Sequence, residues 1–140
     1  MGFTLTDTCE IKVKFNESDP LGIVWHGHYI RYFEDGREAF GEKYGFRYKD
    51  IYDKGFVAPI VNIQCDYKKS LQYGDVAIVE TTFVNSPAAK LIFKYRIYLA
   101  ATNQLVAEGS SVQVFLTREN MQLQLTMPDF FEAWKKQFAP

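Results

Sequence analysis

One strand, one long amphipathic helix and then four further strands in succession predict an α+β fold, in which a curved antiparallel five-stranded sheet wraps around the helix. Three observations carry that expectation. Apolar and polar residues alternate from Thr8 to Phe15, aromatics recur at helical spacing from Tyr29 to Tyr44, and four later runs alternate between turn-forming segments. A chain of 140 residues with 47% hydrophobic content has enough apolar material for one core, so a single domain over residues 1–140 is expected.

In the first strand Ile11, Val13 and Phe15 alternate with Lys12 and Lys14, as one buried face requires. Asn16 to Gly22 collects Asn, Ser, Asp, Pro and Gly, which hold turns through side-chain bonding or preset backbone angles, so a loop follows. Tyr29, Tyr32, Phe33, Gly36, Phe40 and Tyr44 then share a helix face, while Arg31, Asp35, Glu38 and Glu42 form a charged stripe on another. This helix should stop near Gly45. An interior glycine costs about 1 kcal/mol against alanine, so Gly36 predicts that a sheet comes close to that face. After Lys49 to Gly55, the runs Val57–Tyr67, Val76–Val84, Leu91–Leu99 and Leu105–Leu116 read as strands. Tyr73-Gly74-Asp75, Asn85-Ser86-Pro87 and Thr102-Asn103-Gln104 separate them, which predicts a meander of antiparallel neighbours. Pro128 to Phe138 suits a terminal helix with Phe131, Trp134 and Phe138 on one side.

Sixteen basic against 17 acidic residues leave a formal net charge of −1, which provides no field for gathering a polyanion and argues against a nucleic-acid partner. No segment approaches the roughly 20 apolar residues of a membrane helix. Cys9 and Cys65 lack metal-ligand spacing and the N-terminus lacks a secretory pattern, so a reducing cytoplasm is the expected location. Each cysteine sits in an alternating run and reads as a small packing residue.

The densest group of reactive side chains is Asp19-Pro20-Leu21-Gly22-Ile23-Val24-Trp25-His26-Gly27-His28-Tyr29, which holds both histidines of the chain. A carboxylate beside the backbone amides of a helix start suits acyl transfer. The carboxylate attacks or activates water, and unpaired N–H groups stabilise the developing oxyanion. His26 and His28 alternate at the helix edge and do not share its face, which argues against a metal there.

Asp-Pro-x-Gly-Ile-Val, then Trp-His-x-x-Tyr, then Tyr-Phe-Glu-x-x-Arg resembles the 4-hydroxybenzoyl-CoA thioesterase family. The likeness continues through Tyr67 to Asp75 and Leu105-Val106-Ala107-Glu108-Gly109. It implies the hotdog fold and an acyl-CoA substrate hydrolysed without metal or redox cofactor. It also implies a dimer or tetramer with sites at subunit interfaces. By this resemblance Asp19 is the nucleophile or general base, and the amide near His26 polarises the thioester carbonyl. Gly22, Trp25, His28 and Tyr29 fall in the oxyanion and substrate-binding region. His28 stands where many members carry Asn or Ser, and Gly36 where Ala is common.

Read alone, Asp19 before Pro20 is a turn residue, and its surroundings reverse that reading. His26 is a wall or orienting donor of the site. Glu34 and Arg37, three apart, can pair on the helix surface for a few tenths of a kcal/mol. Lys68, Lys69 and Arg118 lie near strand ends, where they can meet CoA phosphates or simply be solvated. Phe56, Val57, Pro59 and Ile60 are candidates for the pocket wall. Three functions stay open: acyl-CoA hydrolysis, action on a carrier-protein thioester or an enoyl thioester, and acyl-CoA binding without catalysis. An open sheet with apolar strands and many aromatics leaves edges to be covered, so a homodimer or homotetramer is expected.

Overall fold

The computed structural model describes residues 3–139. Strand β1 (Thr4–Lys12) leads through a 3-10 turn at Phe15–Glu17 to helix α1 (His28–Tyr44) and the short helix α2 (Tyr48–Asp53). Strands β2 (Phe56–Val57), β3 (Ile60–Tyr67), β4 (Val76–Val84), β5 (Lys90–Leu99), β6 (Gln104–Val114) and β7 (Leu116–Thr117) follow, and helix α3 (Asp129–Lys136) closes the chain. β1, β3, β4, β5 and β6 form a five-stranded antiparallel sheet and β2 pairs with β7. Helix α1 lies against this sheet, touching β1, β4 and β5, which is the expected hotdog arrangement.

Periodicity explains the packing. Ala77, Val79, Thr81 and Phe83 of β4 alternate into the interior, as do Leu91, Phe93, Tyr95 and Ile97 of β5. They meet Tyr29, Tyr32, Phe33 and Phe40 of α1. Phe33 stacks on Tyr95 with ring centroids 4.4 Å apart. A Cβ at Gly36 would collide with Thr81 Oγ1 and lie 2.9 Å from Val79 Cγ1, so the glycine does mark the close approach of helix and sheet. Gly45, in the left-handed region at φ 72°, ends the helix. Helix α3 adds Phe131 and Trp134 to the core, and Trp134 Nε1 donates to the Tyr44 carbonyl at 2.8 Å.

The sheet is not the simple meander that the turn residues suggest. Its order is β1-β4-β5-β6-β3, so β3 and β4, consecutive in the chain, lie on opposite sides of β5 and β6. The Tyr73-Gly74-Asp75 turn is not a hairpin between them. Gly74 N–H donates to Val13 O at 3.2 Å and Val13 N–H to Asp75 O at 2.9 Å, so the turn joins the end of β1 instead. The 68–75 connection therefore crosses from one edge of the sheet to the other.

Three boundaries also differ. The first strand runs Thr4–Lys12 rather than Thr8 to Phe15, and Phe15 is 76% exposed in the turn that follows. The Val57–Tyr67 run breaks at Ala58-Pro59, because proline has no N–H to give to a ladder, and a bulge follows between Ile60 and Asn62. The last run ends at Val114, after which Leu116–Thr117 turns away to pair with Phe56–Val57. Arg37 does pair with Glu34, but from a buried rather than a surface position. It is only 8% exposed, its NH1 donates to Tyr95 Oη at 3.0 Å, and Glu34 stands 3.9 Å from its NH2. No helix among the described residues is long and apolar enough to cross a membrane.

Candidate active site

Between β1 and α1 the chain makes a small hairpin closed by a bridge between Ser18 and Val24. Asp19 N–H donates to Ile23 O at 2.8 Å, and Gly22 N–H to Asp19 O at 2.9 Å. Leu21 N–H donates to the side-chain Oδ1 of Asp19 at 2.8 Å, so one carboxylate oxygen is fixed by the turn. The second, Oδ2, accepts no hydrogen bond among the described residues. Gly22 has φ 82°, a left-handed value that a residue with a side chain rarely adopts.

This hairpin is anchored from below. The buried Glu17 carboxylate accepts from Lys14 N–H at 2.7 Å and from Tyr32 Oη at 3.1 Å, and it also pairs with Arg31. Trp25 N–H donates to Glu17 O at 3.0 Å. The crossing connection holds the other side: Val24 N–H donates to Leu71 O at 2.9 Å, and Leu71 N–H to the buried Tyr29 hydroxyl at 3.2 Å. The sequence did not mark Glu17, Tyr67 or Leu71 as supports, because the side-chain partners Arg31 and Tyr32 of Glu17 are 14 and 15 residues away and the partners of Tyr67 and Leu71 are 41 to 47 residues away.

Helix α1 begins at His28 after Gly27, with no side-chain cap. His28 N–H bonds back to Trp25 O and Tyr29 N–H to His26 O. The N–H groups of His26 and Gly27 make no hydrogen bond among the described residues, which leaves two donors at the opening turn of the helix. Tyr67 Oη donates to His26 O at 2.9 Å and fixes that turn. Burial, with the Cys65 thiol adding to it, pushes the Tyr67 phenol up to about 12, so it remains a donor at neutral pH. The His26 ring lies beside Trp25 and Tyr67, and Trp25 packs edge-on to His28. The Trp25 ring occupies the space that a side chain at position 27 would need.

A cleft of about 360 Å³ brings Asp19, His26, Tyr29, Tyr67, Lys68 and Lys69 together. Lys69 Nζ donates to Gln104 Oε1 at 2.7 Å and Lys68 Nζ stands 3.9 Å from Glu108. Arg118 is not part of this cleft. Its NH1 donates to Tyr52 O at 2.6 Å and its guanidinium lies 4.8 Å from the Tyr52 ring centre. Phe56 and Val57 line a different groove, with Tyr48 and Tyr52. Burial raises both the Cys65 and the Cys9 thiol, which keeps neither as a thiolate near neutral pH. Among the described residues no group of three or more His, Cys, Asp or Glu is placed to hold a metal ion.

The family model of the thioesterase-like superfamily matches residues 13–135. The Bacillus subtilis protein named "Putative acyl-CoA thioesterase YneP" is 35% identical over 130 residues, covering 91% of this chain and 94% of its own. The solved structure of a DHNA-CoA thioesterase from Staphylococcus aureus superposes with a TM-score of 0.83 at 27% identity, over 94% of this chain and 90% of that one. The 4-hydroxybenzoyl-CoA thioesterase of Pseudomonas sp. strain CBS-3 superposes with a TM-score of 0.79 at 21% identity, over 92% and 98%, a likeness of fold.

Proposed function

The chain belongs to the thioesterase-like superfamily of thioester hydrolases, and from that premise we propose that it hydrolyses an acyl-CoA to a free acid and CoA, with Asp19 as the reacting carboxylate. One observation carries the reading. Asp19 has one oxygen pinned by Leu21 N–H and the other without a partner, in a cleft that ends at the opening turn of α1. A carboxylate held this way has lost little further freedom when it attacks or takes a proton, so positioning works in its favour.

The thioester carbonyl accepts from the His26 and Gly27 N–H groups, where the helix dipole adds to stabilisation of the oxyanion. Trp25 N–H, already bonded to Glu17 O, takes no part. As nucleophile, Asp19 forms a mixed anhydride and releases CoA thiolate, and water then cleaves the anhydride. As base, it takes a proton from the water that attacks the same carbon. His26, Trp25, His28 and Tyr29 form the wall about the reacting group, and Lys68 and Lys69 at the rim meet CoA phosphates. The test is release of free thiol from a panel of short, long and aromatic acyl-CoAs, run beside matched carrier-protein thioesters. Tight binding of every acyl-CoA with no thiol released would leave only the non-catalytic reading.

Tyr67→Phe should lower kcat/KM several-fold and stability by about 1 kcal/mol, because the deletion frees the His26 carbonyl and loosens the turn that presents the two amides. A urea melt alongside steady-state kinetics separates the two effects. A variant with unchanged kcat/KM would remove Tyr67 from the account.

We also place the protein in a reducing cytoplasm, on its two unbridged cysteines, and expect a homodimer or a pair of dimers. β3 is an edge strand with Val61 exposed on it, and Tyr48 and Tyr52 of α2 are exposed aromatics as well. The opposite edge, β1, carries Glu10 and Lys12 and is the less inviting one. Static light scattering should give at least twice the mass of 16.2 kDa at micromolar concentration. A monomer at that concentration contradicts the assembly.

A further inference from the structure

Glu17 carries a buried carboxylate, only 3% exposed, two residues ahead of Asp19. Three donors converge on it: Lys14 N–H at 2.7 Å and Tyr32 Oη at 3.1 Å on Oε1, and the Arg31 guanidinium on Oε2. Its backbone oxygen accepts from Trp25 N–H at 3.0 Å, one residue before the free amides of His26 and Gly27. One residue therefore grips both halves of the cleft, the hairpin that carries Asp19 and the helix whose opening turn carries the two donors. The Trp25–His26 segment is held by its N–H on Glu17 and by its carbonyl on Tyr67. Burial pushes the Tyr32 phenol up to about 12 against the opposing pull of Arg31, so at neutral pH it keeps the proton that it gives to Glu17.

Stability alone does not account for a charge in this place. Taking a carboxylate out of water is costly, and packed apolar side chains of similar volume often serve a fold as well or better. What the carboxylate adds is geometry. It only accepts, so its two oxygens take three donors from three directions, whereas a neutral amide would turn its own NH2 toward one of them. Chemistry between Asp19 and the helix amides needs both held within about 0.5 Å of the productive arrangement, and a misplacement of about 1 Å can cost ~100-fold. We propose that Glu17 is a positioning residue for the thioester reaction: by tying Lys14, Arg31 and Tyr32 to the base of the hairpin, it sets the separation between Asp19 and the His26 and Gly27 amides. The inference rests on the reading of Asp19 and those amides as the reacting groups.

In the full chain, Glu17→Gln should lower kcat at least ~10-fold for the best acyl-CoA while KM stays within about twofold, because the cleft wall and the rim lysines remain in place. A purely structural role would lower the thermal midpoint and leave kcat unchanged below it. The second readout is the infrared carbonyl stretch of an unreactive ketone analogue of the acyl-CoA, in which a methylene separates the sulfur from the carbonyl. On the wild-type chain the stretch should move to lower frequency as the two amides polarise it, and Glu17→Gln should lose part of that shift. Glu17→Asp, which keeps the charge on a shorter stem, should recover part of the lost kcat. If Glu17→Gln does not fold, Arg31→Gln and Tyr32→Phe, each of which removes one donor, should lower kcat several-fold with KM steady. Unchanged kcat, a loss carried by KM alone, or a full carbonyl shift in the variant overturns the proposal. An inactive Asp19→Asn beside a fully active Glu17→Gln sinks this inference alone. Wild-type turnover in Asp19→Asn instead removes the reading on which the inference rests, so the two failures are told apart.

Discussion

Replacing Asp19 by Asn is expected to cut turnover of every accepted acyl-CoA by at least ~100-fold while leaving the thermal midpoint nearly unchanged. The second half of that expectation makes the first informative. Asparagine keeps an oxygen to accept from Leu21 N–H and is itself a favoured turn residue, so the Ser18–Val24 hairpin survives the change. What is lost is the negative charge on the free oxygen, and with it both nucleophilicity and basicity. Single-turnover hydrolysis in ¹⁸O-water then separates the two routes in the wild-type enzyme. Label appearing in Asp19 means that an anhydride formed on it. Label appearing only in the acid, with no acyl-enzyme trapped by rapid quench, means that water attacked directly. If Asp19→Asn turns over at the wild-type rate, the carboxylate is a turn residue and nothing more. His26→Ala offers a contrast, because a wall residue removed from the cleft should change KM more than kcat.

How far the sequence foretold this arrangement depends on the range of each interaction. α1 and β4 were legible almost to the residue, since their signals lie in the spacing of neighbours along the chain. The strand order was not. β3 pairs with β6 across 40 residues or more, and the turn at Tyr73-Gly74-Asp75 advertises a hairpin although it bonds to the end of β1. That misreading matters for the site, because the crossing segment it conceals is the one that clamps Val24 and Tyr29 through Leu71. Arg37 shows a signal that was present but outweighed. It sits four residues after Phe33 and three before Phe40, on the apolar stripe, yet its charge and its distance from Glu34 argued for the surface. The reactive loop itself was legible as a cluster. The two unbonded amides of His26 and Gly27 depend on where every neighbouring N–H finds its acceptor, which no spacing rule supplies.

Gly109→Ala should be the most damaging single methyl in the sheet, lowering stability by about 3 kcal/mol and the thermal midpoint by roughly 10 °C. Gly109 of β6 stands opposite Cys65 of β3 and Tyr95 of β5. A Cβ there would collide with the Gln64 backbone oxygen and lie 2.7 and 2.8 Å from two ring carbons of Phe33. Neither obstacle can easily give. The carbonyl belongs to the β3–β6 ladder, and the ring is fully buried and stacked on Tyr95. Gly36→Ala meets the Thr81 hydroxyl and a Val79 methyl, side-chain atoms with rotamers to adjust, so its cost should be smaller. Gly22→Ala meets nothing within 4 Å and loses only what its positive φ demands, about 1 kcal/mol. Calorimetric melts of the three variants should therefore rank Gly109 first, Gly36 second and Gly22 last. A Gly109→Ala midpoint within two degrees of wild type would mean that helix and sheet part to admit a methyl, and that their contact is looser than the stacking of Phe33 on Tyr95 implies.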